Sequence, residues 1–520
     1  MESTPDLRQM NAEALREFAA GLLGQLAQKD EVIKIKQLKI DQLTHEMGTL
    51  KRWRFGRRSE QLESGQRSLL EESIDEDLEA IGIELEALRE PAADRQQKQK
   101  PRRTALPGHL PRREVRHEPE QTQCSCGCTL ERIGEDVSEK LDYTPGVFQV
   151  ERHIRGKWVC RSCERLIQAP VPPQVIDKGI PTAALLAQVL VAKFADHQPL
   201  YRQEGIFERA GFAIARSTLA QWVGICGVRL EPIWLALKAE LLARSVLHAD
   251  ETPVPMLKPG LGRTHRAYLW SYGTTQYEPQ SIVVYDFAES RSGHHARTFL
   301  GDWAGKLVCD DYVGYKALFE KSVIEVGCAA HARRKFDELY ANHRSELAAE
   351  ALQLFGKLYE IEREAREQQL DAAGRARLRQ ERARPIADAL YQWLITHRRK
   401  VPDGSATANA IDYSLKRWLA LARYIDDGNL PIDNNWMENR IRPVAVGRSN
   451  WLFAGSLRAG KRAAVVMSLI QSAKLNGHNP YRYLADILER LPMHPANRLE
   501  ELLPHRWHQR SESPVRKSVC

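Results

Sequence analysis

No stretch of the chain is apolar for long enough to cross a bilayer. The longest apolar run, residues 463–473, contains Ser and Gln and is flanked by Lys and Arg; a spanning helix needs about 20 apolar residues. The start, Met-Glu-Ser-Thr-Pro-Asp, is polar and acidic and lacks the basic and apolar regions of a secretory signal. These absences predict a cytoplasmic protein. Cysteine is also scarce. Nine cysteines in 520 residues exclude a disulfide framework, and five of them fall between Cys124 and Cys163, which points to a reducing compartment and a metal site. Neither sign of charge dominates: Lys and Arg number 76 against 68 Asp and Glu, a net charge of +8. That is a mild lean towards polyanions, and where the charge sits matters more than its sum. Hydrophobic residues at 43% and charged residues at 28% are ordinary for a globular protein, and the length implies several domains.

Residues 12–60 read as a zipper with a basic end. Leu15, Ala19, Leu22, Leu26, Ile33, Ile40, Leu43, Met47 and Leu50 follow heptad spacing, interrupted by Lys29 and Lys36. Sustained spacing of this kind favours a coiled coil over one amphipathic helix packed on its own protein. The seam runs into Lys51-Arg52-Trp53-Arg54-Phe55-Gly56-Arg57-Arg58. Arg54, Arg57 and Arg58, interleaved with aromatics, are candidates to track phosphates and stack on bases; a solvated helix end has the same composition. Residues 61–117 read as a charged linker. Positions 71–90 hold nine acids against one Arg, and positions 95–116 hold eight Lys or Arg against one Glu, with Pro101, Pro107 and Pro111.

Residues 118–170 read as a zinc-binding module. Cys124-Ser-Cys126-Gly-Cys128 and Cys160-Arg-Ser-Cys163 are separated by strand-like sequence. Two thiolate knuckles joined by a hairpin make a tetrahedral, structural zinc site. Cys124, Cys126, Cys160 and Cys163 are assigned as ligands, with Cys128 as the competitor for a place in the first knuckle. Residues 181–243 read as helical. A helix through Pro199 to Gly211 and a second one capped by Ser217 or Thr218 suggest a helix-turn-helix, though any two packed helices share that pattern.

From residue 245 short β-rich runs alternate with helical ones, predicting a mixed sheet with helices in an α/β fold over 245–455. Residues 345–425 carry helical spacing and read as an insertion; 456–492 is helical again, and 493–520 reads as a polar, loose tail.

Three carboxylates stand out. Asp250 ends the apolar run Ser245-Val-Leu-His-Ala-Asp250, Asp310 ends Lys306-Leu-Val-Cys-Asp310, and Glu438 opens a helix in Asp433-Asn-Asn-Trp-Met-Glu438. Acids at two strand ends and one helix start can converge on two Mg²⁺ ions, which want oxygen ligands and serve phosphoryl transfer. Glu251 and Asp433 are rival ligands by spacing. Arg440, Arg442 and Arg448 suit phosphate oxygens beside such metals, or local salt bridges.

The motifs His248-Ala-Asp-Glu-Thr252, Asp310-Asp-Tyr-Val-Gly-Tyr315, Gly327-Cys-Ala-Ala-His-Ala-Arg-Arg-Lys-Phe336 and the run from Asp433 to Gly455 resemble the transposase of the insertion sequence 66 family. So do Phe55 to Glu60, at the end of the family's zipper, and Ile133 to Tyr143, at the end of its zinc-binding segment. The resemblance implies a DDE transposase with an RNase H-like core, and it selects Asp250, Asp310 and Glu438 as the acids holding two Mg²⁺ ions, with Mn²⁺ as a substitute. It implies binding to the element's inverted-repeat ends and to target DNA, 3′-end cleavage followed by strand transfer, self-association through the zipper, and accessory proteins from the same element. Cys328 and His331 match a Cys-x-x-His element near the active site of related transposases, with His331 a candidate DNA contact. Asp311 departs from the family, which commonly has Gly there. Two rival classes share parts of the pattern: a zinc-dependent DNA-binding regulator with an inactive core, and a structure-selective RNase H-like nuclease.

Overall fold

The computed structural model describes residues 12–55, 64–88, 106–119, 123–126, 128–144, 146–177, 179–257 and 264–509. The chain opens with helices α1 (Ala12–Phe55) and α2 (Ser64–Leu88). A first sheet follows, from β1 (Arg112–His117), β2 (Glu131–Thr144), β3 (Val147–Val159) and β4 (Leu166–Gln168). Its heart is the antiparallel hairpin of β2 and β3, with β1 parallel to β3 on the far side. Helices α3 (Ala183–Phe194), α4 (Leu200–Arg209) and α5 (Arg216–Leu242) lead into the second sheet.

That sheet contains β5 (Val246–Leu257), β6 (Thr264–Gly273), β7 (Val283–Ala288), β8 (Gly305–Cys309) and β9 (Val323–Gly327), in the order β7-β6-β5-β8-β9. β5, β6 and β7 are antiparallel neighbours, while β8 and β9 continue parallel to β5. Leu307, Val308 and Cys309 are all fully buried, the continuous apolar texture of a parallel strand covered on both faces. Helices α6 (Gly293–Leu300) and α7 (Lys316–Phe319) connect β7 to β8 and β8 to β9. After β9 come α8 (Ala329–His343), α9 (Glu346–Glu367), α10 (Ala372–Leu378), α11 (Arg384–Arg398), α12 (Ala406–Lys416) and α13 (Trp418–Ala422), then α14 (Asn435–Trp451), α15 (Leu457–Leu475) and α16 (Pro480–Arg490).

Strand alternation sorts the two faces of this sheet. Leu247, Ala249, Trp270, Tyr272 and Leu307 point into a core shared with α3, α5, α6 and α16. Val254, Met256 and Leu269 point the other way, onto Met437 and Val444 of α14. Val246, Val308 and Val326 on that second side meet α8, α9, α11 and α12. Gly273 lets α14 settle on the sheet: a Cβ there would lie 2.4 Å from Met437 Cε and 2.9 Å from the Ile282 carbonyl oxygen.

Three expectations are corrected. The segment read as a linker contains α2 and β1; its residues 89–105 lie outside the described ones. The acids of α2 are not solvated. Glu76 and Asp77 pair with Arg462 of α15 at 2.5 and 3.0 Å, and Glu72 and Glu76 bind Lys193 of α3. Ile74, Ile81 and Leu85 meanwhile pack on Leu43 and Leu50 of α1. Charge counting missed this because opposite charges far along the chain neutralise the acids. The helix lies so close to α5 that a Cβ on Gly224 would meet the Glu76 carbonyl oxygen at 2.4 Å. Second, no hydroxyl caps α5. Its N-cap is Ala215, and the Arg216 amide donates to Glu204 at 2.9 Å. Leu219, Ala220, Trp222 and Val223 are buried, so this helix serves the core. Third, the tail is packed as far as residue 509: Leu502, Leu503 and Trp507 enter the main core, and Trp507 Nε1 donates to Asp486 at 2.6 Å.

Arg462 is 4% exposed at its side chain. Arg462→Met keeps its bulk but takes the paired cation from Asp77 and leaves Glu76 with Lys193 alone, and is expected to cost about 3–5 kcal/mol, read as a clear fall in thermal midpoint. An unchanged midpoint would show that the α2 ion pairs are not structural.

Candidate active site and metal centre

The pairing of β5 with β8 runs Val246↔Lys306, Leu247↔Leu307, His248↔Val308. Carried two residues on, this register sets Asp250 beside Asp310, on strands about 4.8 Å apart. Asp250 shares the parity of His248 and projects towards the α14 side, while Asp310 lies just past β8, where its charge acts on Glu251 as well as on Asp250. Glu438 sits in the first turn of α14. Asp250 has a pKa well above the usual carboxylate range: burial is the main cause, the charge of Glu251 adds to it, and Asp310 and Glu438 contribute further. One Asp250 oxygen accepts the Glu251 amide at 2.9 Å, and one Asp310 oxygen accepts the Tyr312 amide at 2.9 Å. These backbone bonds aim the carboxylates, whose remaining lone pairs suit a hard cation.

The rival acids are engaged elsewhere. Glu251 has opposite parity to Asp250 and points into the other face, where Arg291 Nη2 lies 2.6 Å from Oε1 and the Tyr315 hydroxyl donates to Oε2 at 2.8 Å. Asp433 accepts from the Tyr359 hydroxyl at 2.8 Å and from the Asn435 amide at 3.1 Å. Asp311, the acid where the family commonly has Gly, is largely exposed and lies 3.5 Å from Arg417.

His331 Nδ1 is 3.7 Å from Glu438 Oε1, and Arg334 is 3.5 Å from Oε2. Glu438 Oε1 and His331 Nδ1 are both buried atoms without a hydrogen-bond partner, so the carboxylate keeps an open lone pair. Cys328, His331 and Glu438 offer ligand atoms within 4.8 Å of one another. Burial pushes the Cys328 thiol up to about 12, and its sulfur accepts the Asn434 amide at 3.2 Å.

The candidate arginines separate. Arg440 stacks on Trp436 at 3.9 Å, and Arg448 donates to the Pro253 carbonyl at 2.8 Å. Arg442 is exposed one helical turn beyond Glu438, on its side of α14. The side chain of Arg54, and Arg57 and Arg58 altogether, lie outside the described residues. Sequence reasoning missed Arg291, Arg334, Tyr315 and Asn434. Only the strand parity of Glu251 and the place of Asn434 just ahead of the helix hinted at them.

The second centre is the cysteine cluster. Sγ of Cys124 lies 3.3 Å from that of Cys163, and Sγ of Cys126 lies 3.6 Å from Cys160 and 3.8 Å from Cys163. All four sulfurs fall within 4.8 Å of one another. A zinc tetrahedron with bonds of about 2.3 Å spaces its sulfurs about 3.8 Å apart, so the four thiols fit one structural zinc. Cys128 instead donates to Ser162 Oγ at 3.3 Å and is outside the four. The Cys126 amide, then the Cys163 thiol, lower the Cys124 pKa to about 6. Within the same cluster the Cys126 and Cys163 thiols, although backbone hydrogen bonds lower them, are raised on balance by hydrogen bonds to neighbouring cysteine sulfurs, so the fit to zinc rests on the sulfur geometry.

Family models match most of the chain. The model described as Transposase IS66 family covers residues 178–462, the IS66 C-terminal element 468–505, the zinc-finger binding domain of transposase IS66 121–164, and Transposase C of IS166 homeodomain 42–115. Curated relatives come from Sinorhizobium fredii. The uncharacterized protein y4jD is 39% identical over 418 residues, 77% of this chain and 81% of that one. The uncharacterized protein y4qI is 36% identical over 503 residues, 93% and 92% of the two chains.

Two predictions follow from these sites. Cys126→Ser is expected to lose zinc by metal analysis, whereas Cys128→Ser retains one zinc per chain; the reverse would reassign the knuckle. For Asp250, a folded-state pKa above the unfolded value near 3.8 means that the folded chain binds the extra proton. Stability without divalent ions therefore falls as pH rises from about 4 through the folded pKa. Asp250→Asn should raise the thermal midpoint in chelator at pH 7–8 and leave it unchanged at pH 4. A midpoint lowered at pH 8 would contradict the electrostatic strain.

Proposed function

The chain belongs to the IS66 transposase family, and from that premise we propose that it cleaves DNA at the ends of its own insertion sequence and joins them to target DNA. The observation that supports the reading is the parallel pairing of β5 with β8, whose register, carried two residues beyond His248↔Val308, would bring Asp250 beside Asp310 and near the helix bearing Glu438. The sheet order, three antiparallel strands continued by two parallel ones, is what an RNase H-like core would have.

Divalent cations bound among the three acids would lower the pKa of the attacking water or 3′-OH and neutralise charge on the leaving oxygen. The protein's own groups do the rest. Asp250, Asp310 and Glu438 would hold the cations, and His331 and Arg334 stand 3.7 and 3.5 Å from the two Glu438 oxygens. Arg442 is placed to meet a DNA phosphate. Hydrolysis frees a 3′-OH, and in-line attack by that hydroxyl on a target phosphodiester forms one P–O bond as another breaks. Neither step needs a covalent bond between protein and DNA.

Two ends must be held together for joining, and α1 supports that requirement. The seam residues Leu22, Leu26 and Ile33 are 44%, 54% and 61% exposed, whereas Leu43 and Leu50 are covered by α2. Apolar side chains at heptad spacing on an open helix favour pairing with a second copy. The zinc module and the helical segments around it are assigned to recognition of the inverted repeats, with accessory proteins of the same element as further partners.

Incubation of purified protein with labelled element ends, a target plasmid and Mg²⁺ tests the reading. Joined products are expected from the wild type. Asp250→Asn, Asp310→Asn and Glu438→Gln should each lose cleavage and joining by at least about 10³-fold while still binding ends. Cut but unjoined branched DNA would instead identify a nuclease. End binding without any metal-dependent product from the wild type would identify a regulator.

A further inference from the structure

Asn434 precedes α14 and is 1% exposed. Its Nδ2 donates to the Ala249 carbonyl at 2.9 Å, its Oδ1 lies 2.6 Å from His248 Nδ1, and its backbone amide donates to Cys328 Sγ at 3.2 Å. Because the amide nitrogen is committed to a carbonyl, the amide oxygen is the acceptor, so His248 carries its proton on Nδ1. One residue thus joins β5 just before Asp250, the start of α8 just before His331, and the first turn of α14 containing Glu438.

We propose that Asn434 is the positioning residue of the metal-binding acids, fixing the separation between the strand that carries Asp250 and the helix that carries Glu438. This rests on the metal-dependent reading above. The packing of α14 on the sheet around Met437 is apolar and non-directional, and its other polar ties run from Trp436 to the Thr274 carbonyl at 3.0 Å, from the Tyr285 hydroxyl to the Arg440 carbonyl at 2.6 Å and from Arg448 to the Pro253 carbonyl at 2.8 Å, not to the residue next to Asp250. A buried amide is costly unless its groups are paired, and a fully paired one specifies a single arrangement. Displacing a reacting group by about 1 Å costs on the order of 100-fold in rate. Among these ties, that of Asn434 joins Ala249, the residue next to Asp250, to the cap of the helix that carries Glu438. The buried His248, turned by its bond to Asn434, completes this tie from the strand side.

The test is Mn²⁺ binding to the full-length, zinc-loaded protein, followed by paramagnetic resonance and set beside DNA cleavage. Asn434→Ala is expected to weaken Mn²⁺ binding about 10–100-fold. Its cleavage kcat should fall with it and recover in part at high Mn²⁺, while KM for end DNA and zinc content stay at wild-type values. Should Asn434→Ala fail to fold, two substitutions at His248 carry the same test. His248→Asn keeps a donor for Asn434 Oδ1 and should bind Mn²⁺ like the wild type, whereas His248→Leu removes the donor and should bind weakly. Wild-type Mn²⁺ affinity in Asn434→Ala, or in His248→Leu, with Asp250→Asn binding none, overturns the role of Asn434 alone. Equal Mn²⁺ binding by wild type and Asp250→Asn overturns the metal-dependent reading on which it rests.

Discussion

A buried carboxylate with like charges beside it, Asp250, is the constraint around which the candidate site is arranged. Asp250 and Asp310 are neighbours by strand register, Glu438 faces them from α14, and Glu251 lies against the same group from the other face. Each arginine nearby is attached to the periphery of the cluster. Arg291 is paired with Glu251, Arg417 with Asp311 and Glu325, and Arg334 with Glu438. None of these ion pairs reaches Asp250, whose pKa is driven up by burial and by like charge. Under the proposed function, divalent cations among these oxygens would offset that unfavourable energy.

The surrounding fold can be read as the support for that arrangement. Parallel pairing of β5 and β8 needs a crossover, which α6 provides. The α14 helix must rest on the antiparallel half of the sheet, and the bare backbone at Gly273 admits Met437. The α15 helix carries Arg458 and Arg462, which bind Glu46, Glu84, Glu76 and Asp77, so both N-terminal helices are tied to the scaffold that backs the site. The N-terminal helices and the acid-bearing core are therefore joined by ion pairs, as the proposed holding of two DNA ends would require.

Much of this was legible in the residues because local pattern and tertiary role coincide. Asp310 directly follows the short apolar strand β8 and the residues before Glu438 open a helix, as expected; Asp250 instead lies inside β5, which runs on to Leu257 because its pairing with β6 continues past the acid. The zinc knuckles were visible from cysteine spacing alone, down to the preference for Cys126 over Cys128. What remained illegible depends on distant partners. The acids of α2 look like a solvated run until Lys193 and Arg462 are brought against them. The end of the chain looks polar until Leu502, Leu503 and Trp507 find a core. Arg440 and Arg448 look like phosphate ligands until Trp436 and the Pro253 carbonyl claim them. Local composition cannot report contacts made across hundreds of residues.

The central claim is that three separated acids form one divalent-cation site. Crystals grown with element-end DNA and Mn²⁺, measured at the manganese absorption edge, address it most directly. The account predicts anomalous peaks within about 2.0–2.3 Å of oxygens from Asp250, Asp310 and Glu438, two of them about 3.5–4 Å apart. Manganese bound elsewhere, with these carboxylates turned to protein donors, would contradict it.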